Sequence, residues 1–172
     1  MKLFDHLFVA TAGCVTALFL LAQPAAAQSN RPASQAASKA ENKADHKGAE
    51  RTHRLILQVN TNDPAMMNLA LNNAANVDQY YSDLGEPVEI EVITFGPGLH
   101  MLRADTSPVK DRIKSMAESR PSVSFKACGN TQENMAKAEN KTIPLVSQAT
   151  VVKSGVVRVM ELQEQGWSYV RP

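Results

Sequence analysis

Cysteine is nearly absent: the 172 residues hold two, Cys14 and Cys128. Neither has a second cysteine two residues away, which argues against a thioredoxin-type dithiol. Aromatic side chains make up only 5% of the chain, and neither sign of charge dominates, with 18 Lys and Arg against 17 Asp and Glu, a formal net charge of +1. A chain this close to neutral has no global field to gather nucleic acid or an anionic membrane surface, so nucleic-acid binding is set aside. Glycine is missing from the turn after the first internal apolar run, Asn60-Thr61-Asn62-Asp63-Pro64. A phosphate cradle needs glycine there, so no nucleotide cofactor is expected. No metal is expected either. Six methionines, Met66, Met67, Met101, Met116, Met135 and Met160, are scattered at helical core spacings and read as packing residues, and His46 and His53 are too isolated to ligate together.

What is present begins with an address. Lys2 precedes an apolar run from Leu7 to Leu21, followed by Gln23-Pro24, Ala25-Ala26-Ala27 and then Gln28. Residues 1–27 therefore read as a secretory signal peptide cut after Ala27, which predicts a periplasmic protein with no membrane association once the leader is gone. The alternative is a retained anchor helix, although the apolar run is short for a span. Residues 28–52 carry Ala, Ser, Lys, Glu, Asn and Gln with almost nothing large and apolar, and read as a disordered linker. Cleavage removes Cys14 and leaves Cys128 as the only thiol. No intramolecular disulfide can then form, and an unpaired cysteine in an oxidising compartment is either protected by burial or kept for its reactivity.

Residues 53–172 alternate between strand and helix patterns. Arg54-Leu55-Ile56-Leu57-Gln58-Val59-Asn60 is nearly continuous in apolar character, as in a strand buried on both faces. Asp63-Pro64 supplies an N-cap and a first helical position, and Met67, Ala70, Leu71, Ala74, Val77, Tyr81 and Leu84 recur on one helical face up to Gly85. A second strand runs from Val88 to Gly96, its alternating Glu89 and Glu91 predicting one partly wet face at the start. The stretch from Leu99 to Asp105 reads as a long loop, and Ser107-Pro108 opens a helix with Val109, Ile113 and Met116 inward. Val123 to Cys128 is the third strand. Asn130 or Thr131 is the expected cap of the next helix, with Glu133 closing a capping box if Asn130 is the cap. Ala149 to Val152 is a fourth strand, Ser154 caps a helix in which Val156, Val159, Met160 and Gln163 share a face, and Trp167 to Val170 closes the chain as a fifth strand.

This alternation predicts an α/β domain with a five-stranded, mostly parallel sheet between helical layers. Right-handed crossovers put the C-terminal ends of all strands on one edge, where such folds bind ligands. The residues expected at that edge are Cys128 with Gly129 and Asn130, the loop around His100, Asn60 and Asp63, and Ser154. A thiol at a strand end just before a helix N-terminus feels the positive end of the helix dipole and free N–H groups, which favour the thiolate. His100 is the candidate base or pocket residue. The opposing reading is a small buried hydrophobe made inert by desolvation.

Three stretches, Phe125-Lys126-Ala127-Cys128-Gly129-Asn130-Thr131, Val151-Val152-Lys153-Ser154-Gly155-Val156-Val157-Arg158 and Glu161 to Pro172, resemble the DsrE/DsrF-like (YchN-like) sulfur-relay family, and the last of them resembles its exported members most closely. The resemblance implies a three-layer α/β/α sandwich of DsrEFH-like type over residues 53–172 and assembly into homo-trimers or hexamers. It further implies a cysteine, here Cys128, that carries sulfane sulfur as a persulfide between a small sulfur donor and an acceptor thiol protein. The rival function is a non-catalytic oligomeric binding module that uses the same strand-end cleft.

Overall fold

The computed structural model describes residues 51–172; the expected signal peptide, Cys14 and nearly all of the expected linker lie outside the described residues. Five strands, β1 (His53–Val59), β2 (Val88–Thr94), β3 (Val123–Cys128), β4 (Ala149–Val152) and β5 (Ser168–Val170), form one sheet in the order β4-β3-β2-β1-β5. Every pairing is parallel. The helices are α1 (Pro64–Leu84), α2 (Lys110–Ser119), α3 (Gly129–Glu139) and α4 (Gly155–Glu164), with a 3-10 helix at Gly96–Leu102.

The strand order explains the layers. From β1 to β4 the chain steps one strand at a time in one direction, so right-handed crossovers stack α1, α2 and α3 on a single face. That face holds the main core, in which Leu55, Leu57, Val59, Val92, Phe125 and Ala127 of the strands meet Met67, Leu71, Ile113 and the 3-10 helix residues Leu99 and Leu102. Leu57, Leu71 and Ile113 are wholly removed from solvent, each stabilising the fold by about 1.5–3 kcal/mol relative to exposure. The chain then reverses. To place β5 beside β1 it recrosses the sheet on the opposite face with α4, giving the α/β/α sandwich. There the buried cluster is small: Ile56 and Ile93 under Val159 and Leu162, flanked by Phe95 and Trp167.

The first helix begins as its sequence predicts. Asp63 is the N-cap and its Oδ1 accepts from Ala65 N at 2.9 Å, Pro64 follows, and Gly85 ends the helix at φ 70°, a left-handed backbone that glycine adopts freely. Four expectations change. Leu84 is exposed in the last turn of α1. Glu91, expected wet, is buried on the sheet and holds Arg158 of α4 in a two-point ion pair at 3.0 and 2.6 Å. The expected loop after β2 is the 3-10 helix, packed so tightly across the end of β1 that a Cβ at Gly98 would lie 2.1 Å from the Val59 carbonyl oxygen. On α4 the inward residues are Val159 and Leu162, while Val156, Met160 and Gln163 face solvent.

One helix is held unusually. No residue of α3 is fully buried, and its apolar contact with the main core is the partly buried Met135. Polar bonds add to that contact. At its C-terminal end Glu139 takes the buried guanidinium of Arg103, which lies directly after the 3-10 helix and also bonds Asp105 at 2.9 and 2.8 Å. Gln132 Nε2 donates to the Ile143 carbonyl at 2.9 Å.

Candidate functional site

Cys128 ends β3 and is itself the N-cap of α3, at φ −71° and ψ 114°. This corrects the capping expectation: the helix starts at Gly129, so Asn130 is its second residue, Thr131 its third, and the Asn130/Glu133 capping box does not form. An N-cap side chain accepts from the N–H groups of the second and third helical residues. Here a sulfur stands where a Ser or Asp oxygen usually does, and it makes no side-chain capping bond.

A second helix points at the same atom. Alternation along β3 turns Cys128 toward the face covered by α4, whose first residue is Gly155. The approach is close: a Cβ at Gly155 would stand 2.9 Å from Phe95 Cδ1 and 3.3 Å from Cys128 Cβ. Only a glycine lets α4 bring its first N–H this near. Gly129 is also tight, since a Cβ there would lie 3.2 Å from the Val152 carbonyl oxygen and 3.3 Å from Val151 Cγ1.

The electrostatics follow from this placement. Burial, with 4% of the residue exposed, pushes the thiol pKa up. The nearby Thr131 hydroxyl and the backbone N–H groups of Gly155, Thr131 and Asn130 outweigh it and hold the thiol below its ordinary value. Asn130 N–H contributes least, and it also donates to the Lys153 carbonyl at 3.1 Å. The positive ends of two helix dipoles therefore favour the thiolate, and the leading influences on it come from backbone N–H groups and a hydroxyl.

The remaining candidates separate. His100 bonds Thr106 Oγ1 through Nδ1 at 3.1 Å and makes no hydrogen bond to Cys128. Asn60 follows β1, two strands from β3 in the sheet, or about 10 Å at the usual strand spacing. Asp63 is beyond it and uses its carboxylate as a cap. They share the sheet edge with Cys128 without joining its surroundings. Ser154 is the N-cap of α4 with no side-chain capping bond, and with Asn130, Val152, Lys153, Val157 and Arg158 it lines an open cleft of about 570 Å³. Val152 is the register partner of Cys128 in β4.

Sequence reasoning overlooked Gly155, Phe95 and the donor role of Thr131. The signal for Thr131 was its position three residues after the cysteine, the N-cap to third-residue spacing. No local signal marks Gly155 or Phe95, which reach the thiol only through the sheet order. Among the described residues no cluster of His, Cys, Asp and Glu could hold a metal ion, and no helix is long and apolar enough to cross a membrane.

No family model and no curated protein matches the chain. Among solved structures, MTH1491 from Methanobacterium thermoautotrophicum, described as a protein of unknown function, is 30% identical with a TM-score of 0.58, over 70% of this chain and 99% of that one. The chain belongs to the same family as MTH1491. Since the match takes in almost the whole of MTH1491, the α/β domain is the unit the two proteins share.

Proposed function

We propose that the protein is a periplasmic sulfur carrier in which Cys128 holds sulfane sulfur as a persulfide, the role implied by its resemblance to the DsrE/DsrF-like family. One observation carries the reading: the only cysteine among the described residues is the N-cap of one helix, lies against the first residue of a second, and has its pKa lowered against its own burial. In the loading step the Cys128 thiolate attacks the outer sulfur of a donor persulfide, R–S–SH. The donor S–S bond breaks, the thiolate RS⁻ leaves, and Cys128–S–SH forms. In the unloading step an acceptor thiolate attacks that outer sulfur, and Cys128 departs as a thiolate stabilised by the same N–H groups. Neither step needs an oxidant. The absence of a histidine at the sulfur fits this chemistry, because the nucleophile and both leaving groups are thiolates.

A second copy of the chain is the proposed neighbour. Val151, Val156, Val157 and Met160 are large, apolar and about half exposed around β4 and α4, more than a surface helix of a monomer requires. The carrier reading is tested by incubating the protein with a sulfane-sulfur donor and weighing the Cys128 peptide. A gain of one sulfur on wild type and none on Cys128→Ala is expected. Wild type without the adduct refutes the carrier and leaves the binding module.

A further inference from the structure

The open cleft next to the end of β4 carries charges of both signs. Lys153, Arg158 and Glu161 line it with Val152, Ser154 and Val157, and its volume of about 570 Å³ is within the range of small-molecule sites. Among the described residues Lys153 and Glu161 form no ion pair, and Arg158 pairs with Glu91. Glu91 is buried on the sheet and takes Arg158 Nε at 3.0 Å and Nη2 at 2.6 Å. The third guanidinium nitrogen, Nη1, has no hydrogen-bond partner among the described residues, and the side chain is 31% exposed. A fork held at two of its three nitrogens is ordered in advance, so a ligand that bonds the third meets a smaller entropic cost.

Helix geometry sets these groups in sequence along α4. Gly155 opens the helix, and a Cβ there would stand 3.3 Å from Cys128 Cβ. Arg158 is three residues on, about 4.5 Å along the axis, and Glu161 is six on, about 9 Å. Three residues apart, Arg158 and Glu161 are neighbours on one helix face. A cation and an anion side by side, about one turn from a thiol, complement a ligand whose own opposite charges are adjacent and whose sulfur lies about a turn away. An α-amino acid with sulfur in its side chain has that layout. A plain anion would be repelled by Glu161, and a plain cation by Arg158 and Lys153.

We propose that this cleft binds an amino-acid persulfide as a zwitterion, with its carboxylate on Arg158 Nη1 and Lys153, its ammonium on Glu161 and its outer sulfur toward Cys128. Val152 and Val157 supply apolar walls for its methylene group, while Val156 and Met160, the outward part of the face assigned to a second copy, lie outside the cleft. The inference rests on the carrier reading and names the R of its donor R–S–SH. The Cys128 thiolate bonds the outer sulfur, the donor S–S bond breaks, and the amino-acid thiolate leaves.

The test is calorimetric titration of the full chain with S-methylcysteine, a zwitterion whose capped sulfur does not react, and saturable binding is expected. Methylthiopropionate lacks the ammonium and methylthioethylamine lacks the carboxylate, so each should bind about tenfold more weakly or worse, the scale of one charged hydrogen bond lost. Glu161→Gln should weaken S-methylcysteine by about tenfold without weakening methylthiopropionate. Arg158→Lys keeps a cation for Glu91 and gives up the free Nη1; it should weaken methylthiopropionate and leave methylthioethylamine unchanged. Circular dichroism verifies the fold, and if Arg158→Lys does not fold, Glu161→Gln decides alone. No saturable binding of S-methylcysteine, equal affinity for all three probes, or an equal effect of Glu161→Gln on each overturns the proposal. Zwitterion binding without a sulfur adduct on wild type refutes the carrier alone, and an adduct without zwitterion binding refutes this inference alone.

Discussion

Gly155→Ala adds one methyl group where two helices and a strand end meet. Its Cβ would stand 2.9 Å from Phe95 Cδ1, 3.1 Å from Phe95 Cβ and 3.3 Å from Cys128 Cβ, against about 3.5–4.0 Å for relaxed carbon contacts. The ring of Phe95 can swing, but its Cβ and that of Cys128 are fixed by the strand ends, so α4 must retreat by several tenths of an ångström. Overpacking of this kind costs about 1–3 kcal/mol. The helix-propensity gain of alanine over glycine is at most about 1 kcal/mol, and less at a first helical position. Overpacking wins, and the midpoint of urea unfolding should fall. The same retreat withdraws Gly155 N–H from the sulfur. A bond to a charged group contributes about 1.5–3 kcal/mol, and with part of it kept the thiol pKa should rise by about one unit. Alkylation of Cys128 against pH measures that rise. A variant that loses stability and keeps the wild-type midpoint would refute the claim that Gly155 N–H supports the thiolate. One that changes in neither respect would refute the packing argument as well.

Arg103 gives an acid-dependent prediction. It holds Asp105 well below the usual carboxylate range and Glu139 at about 2, chiefly by direct hydrogen bonds. Both groups are depressed in the folded state. Their stabilisation is complete above the unfolded values near ~4 and disappears as pH falls through the folded ones. Arg103→Met should destabilise the protein at pH 7, by less than the loss of a fully buried pair would, because the carboxylates it leaves can be hydrated. By about pH 2–3 the gap to wild type in urea unfolding should narrow, and an equal gap at both pH values would refute the linkage. Met160→Glu places a charge in the half-exposed apolar face of α4 and should reduce the mass seen by light scattering. A monomeric wild type would refute self-association through that face.

The fold was legible wherever one segment carried its own signal. Asp63-Pro64 and Gly85 mark the ends of α1, and the apolar run of β1 announces a strand covered on both faces. What the sequence hid depends on sheet order. Glu91 alternates with apolar neighbours as a wet position would, yet α4 crosses back over β2 and brings Arg158 onto it. The segment after β2 has the glycines and proline of a loop, yet Leu99, Met101 and Leu102 supply buried residues to the core as a 3-10 helix. On α4 the apolar residues outnumber the sites the sheet can cover, and periodicity could not say which of them turn inward. The candidate site divides in the same way. Cys128 and the helix after it lie together in sequence, whereas Gly155 lies 27 residues further on and joins them only because β4 pairs with β3.

The fastening of α3 bears on what Cys128 is for. Apolar burial is non-directional and leaves a helix some freedom to rotate, while hydrogen bonds constrain both distance and angle. With polar bonds at both ends and the partly buried Met135 on the core between them, α3 has its axial position and its rotation defined together. The direction of its first N–H groups is defined with them. A cysteine that only fills space gains nothing from this, since desolvation would keep it protonated and neutral donors would be as well used by any hydroxyl. Here the donors reverse the sign that burial alone would give the thiol. That reversal supports a thiolate with work to do, and an anion as polarisable as a persulfide would be held by the same two helix ends.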